Sequence, residues 1–547
     1  MTGGLLNLIA VGDQNVIVNG NPSKTFFTST YKTHTNFGMQ KFRLDYEGQK
    51  SPHLTEETKY TFKVKRYADL LMETYLSITL PNIYSPVYPP VETSDSSGQW
   101  VPYEFKWIKD LGTQIIKEIN ITVGGTNIYT VPGEFFLVNY DKNGYGKSGL
   151  YDTMTGNKKE YYNPTLFEGS YPNAIYTTDV NGAEPSIRSE QLLIPINLWW
   201  TISHKQAFPL VSLQYNEMSV NVTLRPIKEW FIIRDVLNST FNYPYGAPNF
   251  NIAEHHFHRF LQTPPNIELN YTNKSTSWNS DIHIIANYCF VSEDERKEFA
   301  QKEQQYLIKQ VFQHTFNNIS TSNKVWLQNS KGLVTDFTFV FQRNDVYLRN
   351  EWSNFTNWPY HYKPYRIKTA PRSIEGSYLY GDRTLGPGEN PNYTPTGLYY
   401  TGDYKFENEK DILVSLGILL DGHQREEIRN ANVYRYLEGY KRFSSVPMDG
   451  VYGYSFALST SISNLQPTGT INLSMFNKVE LEFTTHVPTI DVSAHHLVVC
   501  NPNTGEPIGY NKPAWSLYNY NYDLRIYEQR YNILIFSSGN CSLMFAM

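Results

Sequence analysis

Apolar and polar residues alternate with a period of two along most of this chain, which is the signature of half-buried strands. Thr61 to Arg66 alternates apolar with charged residues, and Leu70 to Leu80 forms a second run that Pro81 stops. Ile119, Ile121 and Val123 alternate up to Gly124-Gly125, and Ile128 resumes beyond. Two glycines between strands predict a tight hairpin, because a type I′ turn needs φ > 0 at both central residues. Val220, Val222 and Leu224 share one strand face, as do Phe337, Phe339 and Phe341, and later Val479, Leu481 and Phe483. Asp281 to Val291 reads as another strand. Pro447, Asp449 and Gly450 supply a turn, Val451 to Leu458 a β-prone aromatic strand, and Gln466 to Gly469 a second turn before Ile471 and Leu473.

Helical signals are few. Ser292 and Glu295 stand three apart as a capping box, which predicts a short helix through Ala300. Gly3 to Gly12 is apolar and short, and reads as a β arm or a small helix packed under the first domain. Residues 141–149 (DKNGYGKSG) read as a flexible loop. Gly146-Lys147-Ser148 resembles the end of a phosphate-binding loop, but Asp141 stands where that pattern needs glycine. Ser373 to Asp411 is rich in Gly, Pro, Tyr and Asn and reads as a long exposed loop.

Many short strands with turn signals predict an all-β protein, and this pattern does not distinguish a jelly roll from another sandwich. The 547 residues allow three to five units, or two large β domains with long loops. The net charge of −5 argues against a dedicated nucleic-acid binder. Cys289, Cys500 and Cys541 lie far apart, without metal-type spacing, and fit a reducing compartment. No apolar run reaches the roughly 18 residues of a membrane span, and the first residues show neither a signal peptide nor a myristoylation glycine after Met1.

Several blocks carry a resemblance. They are Asn21 to Phe37, Trp107 to Gly125, Leu192 to Arg225, Ala286 to Val311, Trp352 to Trp358, Leu420 to Arg425 and Pro447 to Ser474. Tyr531 to Phe545 adds a weaker one. Together they resemble the major capsid proteins of large double-stranded DNA viruses of eukaryotes, the family of phycodnaviruses, iridoviruses and mimivirus-like viruses. The resemblance implies two consecutive eight-stranded antiparallel jelly rolls with long loops and a few short helices. It places an N-terminal arm at 1–24, a first roll with its connecting segment at 25–265, and a second roll at 266–547. It implies a homotrimer forming a pseudo-hexagonal capsomer that tiles an icosahedral shell. Minor capsid and penton proteins are the implied partners, with the arm facing inward. No enzyme activity, cofactor, metal, direct nucleic-acid contact or transmembrane segment is implied. The implied location is the virion, after assembly in the host cytoplasm.

Three other readings stay open. A paralogous minor capsid protein would share the fold. A carbohydrate-binding sandwich would use exposed Tyr and Trp faces. A cupin-like metalloenzyme would use histidines, and Glu254-His255-His256-Phe257-His258 is a cluster whose composition suits zinc or copper. Strand alternation there would put His256 and His258 on one face without an assured third ligand, so these read as surface histidines. His34 reads as a structural, hydrogen-bonded histidine. Glycosylation sequons begin at Asn238, Asn273, Asn354 and Asn392, the last in the predicted outer loop. Asn472 begins another, in a predicted strand that would bury it.

Overall fold

The computed structural model describes residues 3–48, 50–85, 105–143, 148–162, 185–234, 245–252, 255–262, 273–319, 321–360, 410–461, 465–488, 497–500, 507–511 and 520–545. Helical turns at Gly3–Ile9 and Val16–Asn19 precede the first strand. The first half then contributes β1 (Phe37–Asp45), β2 (Thr58–Val64), β3 (Leu70–Thr79), β4 (Phe105–Trp107), β5 (Ile116–Val123), β6 (Thr126–Pro132), β7 (Gln191–Pro195), β8 (Phe208–Pro209), β9 (Met218–Leu224), β10 (Phe231–Arg234), β11 (Tyr245–Gly246) and β12 (His283–Val291). After the helix Glu293–Gln301 come β13 (Gln304–Ile319), β14 (Ser322–Trp326), β15 (Leu333–Arg343), β16 (Leu413–Leu420), β17 (His423–Asn430), β18 (Val451–Ser455), β19 (Ile471–Asn472), β20 (Val479–Thr485), β21 (Leu497–Cys500), β22 (Pro507–Asn511), β23 (Tyr522–Ser537) and β24 (Asn540–Leu543).

The pairing follows one plan twice. In the first half, one sheet runs β1-β12-β3-β7 and a second runs β2-β9-β5-β6. In the second half, the corresponding sheets run β13-β23-β15-β18 and β14-β20-β16-β17. Each half is therefore a sandwich of two antiparallel sheets in jelly-roll order, with eight strands on these paths. Short additions extend them: β8 on β3, β19 on β15 and β24 on β23.

Local chemistry explains the turns. Gly124 and Gly125 have φ of 59° and 82°, so the β5–β6 hairpin is the expected primed turn. Asp421 and Gly422 repeat the device between β16 and β17, with φ of 47° and 81°. Gly450 (φ 83°) lies where any Cβ would overlap the Phe355 carbonyl. Phe337, Phe339 and Phe341 are buried together in the second core with Leu416, Leu481 and Ile526. The first core gathers Phe62, Leu76, Ile119, Val222 and Ile284.

Some elements differ from the sequence reading. Strand β12, which the expected boundary at 265 puts with the second roll, pairs with both β1 and β3 and completes the first sandwich. Strand pairing is non-local, so periodicity cannot reveal a partner some 240 residues away. The stretch read as a loop at 141–149 is partly helical: Asp141 to Asn143 end the helix Gly133–Asn143, and Ser148 opens the helix Ser148–Thr155. Residues 144–147 lie outside the described residues. The helix Glu293–Gln301 forms after Ser292, but Ser292 makes no side-chain cap bond. Glu295 instead accepts a hydrogen bond from Thr35 Oγ1 at 3.0 Å. Strand β18 stops at Ser455 rather than Leu458.

Candidate assembly surfaces

The two sandwiches meet in an extensive buried junction. Residues 133–143 (GEFFLVNYDKN) form a helix directly after β6, and all but Asp141 are buried. The helix lies on the outer face of the sheet β13-β23-β15-β18. On β15, Phe337, Phe339 and Phe341 point into the second core, so Asp336, Thr338 and Val340 face the junction. Lys142 Nζ pairs there with Asp336 and donates to Thr338 Oγ1 at 2.9 Å. On β23, Arg525 Nε and Tyr527 Oη both donate to Glu134 Oε1, at 2.9 and 2.8 Å. The Phe135 and Tyr527 rings pack at 5.4 Å, and Phe208 and Phe536 at 5.1 Å.

Val340, Tyr527, Leu534 and Phe536 of the second half thus belong to the same apolar cluster as the first core. Burial sets the electrostatics here. It holds Lys309, near both Lys142 and Asp336, below the ordinary lysine value. It pushes Asp141 up to about 6, although the Met448 amide donated to this carboxylate pulls the other way. Deeper in the second roll, burial also works against ionised Asp345, but Arg349 and Arg343 outweigh it and hold the carboxyl at about 2.

The N-terminal arm is the second feature. It is helical at Gly3–Ile9, as one of the two readings had it, but none of that helix is buried. Leu8, Ile17, Phe26 (89% exposed) and Phe27 (97%) stand in solvent. Packing under the first domain is therefore not observed. These aliphatic and aromatic side chains form an uncovered apolar run.

The other candidates resolve individually. The histidine cluster is not a strand: Phe257–Phe260 is a 3-10 turn, and His255 and His258 are buried rather than on the surface. His255 Nδ1 accepts from the Asn249 amide at 3.1 Å, and a His256 ring nitrogen lies 2.8 Å from the Phe250 carbonyl. Among the described residues no group of three or more His, Cys, Asp and Glu is placed to hold a metal. His34 bonds the Thr35 carbonyl at 2.9 Å. Cys289 and Cys541 are buried free thiols.

Asn354 is buried, and its Nδ2 donates to Glu351 Oε2 and the Trp358 carbonyl. Asn273 is exposed, with Oδ1 accepting from the Ser275 amide. Asn472 is exposed, not buried as its strand position suggested. Asn238, Asn392 and nearly all of Ser373 to Asp411 lie outside the described residues. A cleft of about 700 Å³ between the rolls is lined by Lys117, Glu134, Arg225, Gln342 and Arg525. Its charges are spent within the protein: Lys117 on Glu57, Arg225 on Glu229 and the Trp352 ring, and Arg525 on Glu134.

Sequence pattern missed Lys142, Asp336, Glu134 and Arg525. A lysine late in an apolar helix and an aspartate beginning an aromatic alternation are the only local hints.

Comparison with known proteins agrees with this architecture. A family model for the major capsid protein N-terminus matches residues 25–291, and one for the large eukaryotic DNA virus major capsid protein matches residues 295–542. The chain is 23% identical over 597 residues to a major capsid protein of Phaeocystis pouchetii virus, covering 100% of both. It is 24% identical over 546 residues to that of Paramecium bursaria Chlorella virus 1, again covering 100% of both. The fold superposes on the quasi-atomic PBCV-1 capsid with a TM-score of 0.58 at 19% identity, covering 96% of this chain and all of that one. It superposes on the Faustovirus major capsid protein with a TM-score of 0.57 at 12% identity, covering 94% and 93%. That family is structural rather than catalytic. The chain belongs to the major capsid proteins of large eukaryotic DNA viruses, the double jelly-roll proteins that form the virion shell.

Proposed function

We propose that three copies of this chain associate into a pseudo-hexagonal capsomer, and that these capsomers tile an icosahedral face. The observation that carries the reading is the double roll itself. Two sandwiches of the same strand order share one apolar cluster, so each chain supplies two equivalent lobes held as one body. Three such chains give six lobes around an axis. The division between lobes falls in the helix Glu293–Gln301, after β12 and before β13. The work of the protein is association rather than catalysis. The exposed apolar arm faces the inside of the shell and meets minor capsid proteins, and penton proteins close the vertices. Assembly takes place in the host cytoplasm. Asn273 and Asn472 are the described sequons whose side chains are exposed, of which Asn273 is the proposed glycan site, and Asn238 and Asn392 remain candidates.

Light scattering after size exclusion tests the trimer. A species near three times 63.4 kDa, with six lobes by negative stain, is expected. A monomer at micromolar concentration would overturn it.

A further inference from the structure

The helix at the junction inside the chain has a counterpart in the second roll. The helix Gly133–Asn143 follows the fifth strand on the first roll's paths, β6, and covers the outer face of the second roll's sheet. The second roll has an element at the same place in its strand order. After β17, residues 433–441 form a helical segment, a π-helical turn Val433–Leu437 continuing into Glu438–Lys441. Its inner side is anchored: Tyr434 is buried against Phe339 and donates to the Leu416 carbonyl at 2.6 Å. Its other side is bare. Tyr436, Leu437 and Tyr440 (80% exposed) face solvent, where the first helix buries Phe135, Phe136 and Tyr140.

The matching platform is partly open: Leu70, Met72 and Cys289 at one end are buried in a cluster with Ala207 and Phe299, while Ile285, Asn287 and their cross-strand neighbours are half-buried or exposed. On the second roll, the helix Gly133–Asn143 covers the outer face of β15 and β23, and Trp199 and Gln206 of the first roll meet Tyr306 and Leu307 of β13. On the first roll, the equivalent strands are β1, β12 and β3. Ile284, Ala286 and Tyr288 point into the core, so Ile285 and Asn287 point out. In register with them lie Arg43 and Lys41 on β1, with Met39 further along, and Tyr75 on β3 opposite Ile285. Phe37 and Met39 are each 57% exposed. Glu73 on β3 stands half-buried on this face and accepts from Asn287 Nδ2 at 2.7 Å. It occupies the strand that Asp336 occupies in the second roll. Lys441, exposed at the end of its helix, holds the place of Lys142.

We propose that the segment Val433–Lys441 of one chain docks on the outer face of β1, β12 and β3 of a second copy. Leu437 and Tyr440 cover Phe37, Met39 and Tyr75, and Lys441 meets Glu73 as Lys142 meets Asp336. The contact is head-to-tail, because the helix belongs to one roll and the platform to the other. Such contacts build a ring when the rotation closes. The contact within each chain and the contact between chains then alternate around one axis. The inference rests on the trimer reading and names its contact surfaces.

The experiment uses the full-length chain with Leu437→Glu, Tyr440→Glu and, on the opposite face, Met39→Glu. All three sites are exposed, and an unchanged far-ultraviolet spectrum and melting of the monomeric species check folding. Each variant is expected to raise the trimer dissociation constant at least 100-fold by light scattering. Lys441→Glu alone is expected to raise it about tenfold, and adding Glu73→Lys to restore most of that loss. A Tyr440→Cys/Met39→Cys variant is expected to form a disulfide between chains under mild oxidation. A trimeric wild type whose three glutamate variants remain trimers overturns the assigned surface and leaves the trimer standing. A monomeric wild type overturns the trimer itself.

Discussion

Lys142 on a helix of the first roll and Asp336 on a strand of the second form an ion pair with no solvent exposure on either side chain. Thr335 Oγ1 and Gln529 Nε2 donate further hydrogen bonds to the same carboxylate, at 2.8 and 3.2 Å. The pair is the polar pin of the junction. Removing one partner leaves a buried charge alone, which typically costs about 3–5 kcal/mol, whereas replacing both with apolar groups is often neutral. Lys142→Met is therefore expected to lower stability by about that amount in urea unfolding. Lys142→Met with Asp336→Leu is expected to recover most of it. Equal loss in the single and double variants would show that the pair is not coupled.

Gly450 tests the turn that leads into β18. Its φ of 83° disfavours a side chain by about 1–2 kcal/mol. Overlap with the Phe355 carbonyl adds roughly 1–3 kcal/mol more. Gly450→Ala is expected to lose a few kcal/mol in denaturant unfolding, while Gly125→Ala, whose Cβ would meet open space, is expected to lose only the φ cost. Equal losses in the two variants would remove the steric argument.

Acid dependence follows from Asp141. Burial raises its folded pKa to about 6, above the ordinary carboxylate value. Its contribution is then full below pH of about 4 and is lost as pH rises through 6. Asp141→Asn keeps an acceptor for the Met448 amide and removes the charge. The variant is expected to gain about 1–2 kcal/mol at pH 7 and almost nothing at pH 4, after allowance for partial solvent access. Asp345 works the other way, with stability present at neutral pH and lost as pH falls towards 2. A melting-temperature series for wild type and Asp141→Asn from pH 4 to 8 reads the crossing. Parallel curves would contradict the assignment.

Peptide mapping of protein made in eukaryotic cells checks the sequons. Glycan is expected at Asn273 and absent at Asn354, whose amide nitrogen donates to Glu351 and Trp358 inside the fold. Occupied Asn354 would require that loop to open.

The local devices of the fold were legible in the chain. Gly124-Gly125 announced a primed hairpin because its conformational demand is confined to two residues. The Phe337-Phe339-Phe341 alternation announced a buried strand face for the same reason. What depends on distant partners was not legible. Nothing within His283–Val291 says that it joins β1 and β3 rather than a strand that follows it. The helix Gly133–Asn143 escaped because it is buried on nearly every side, which erases the polar stripe that marks an amphipathic helix. The histidine cluster misled because a strand period was assumed where the chain makes a 3-10 turn. Family resemblance, rather than periodicity, carried the choice of jelly roll.

One apolar cluster crosses from the first roll into the second, with Tyr527, Leu534 and Phe536 on its far side. Close-packed interiors do not flex continuously. The described residues of each chain are thus packed as one slab two rolls wide. A closed shell needs curvature, and a packed junction resists supplying it. On the proposed tiling the bending is taken up at the seams between subunits, so differences in shell radius are written in edge contacts rather than in the shape of the protein.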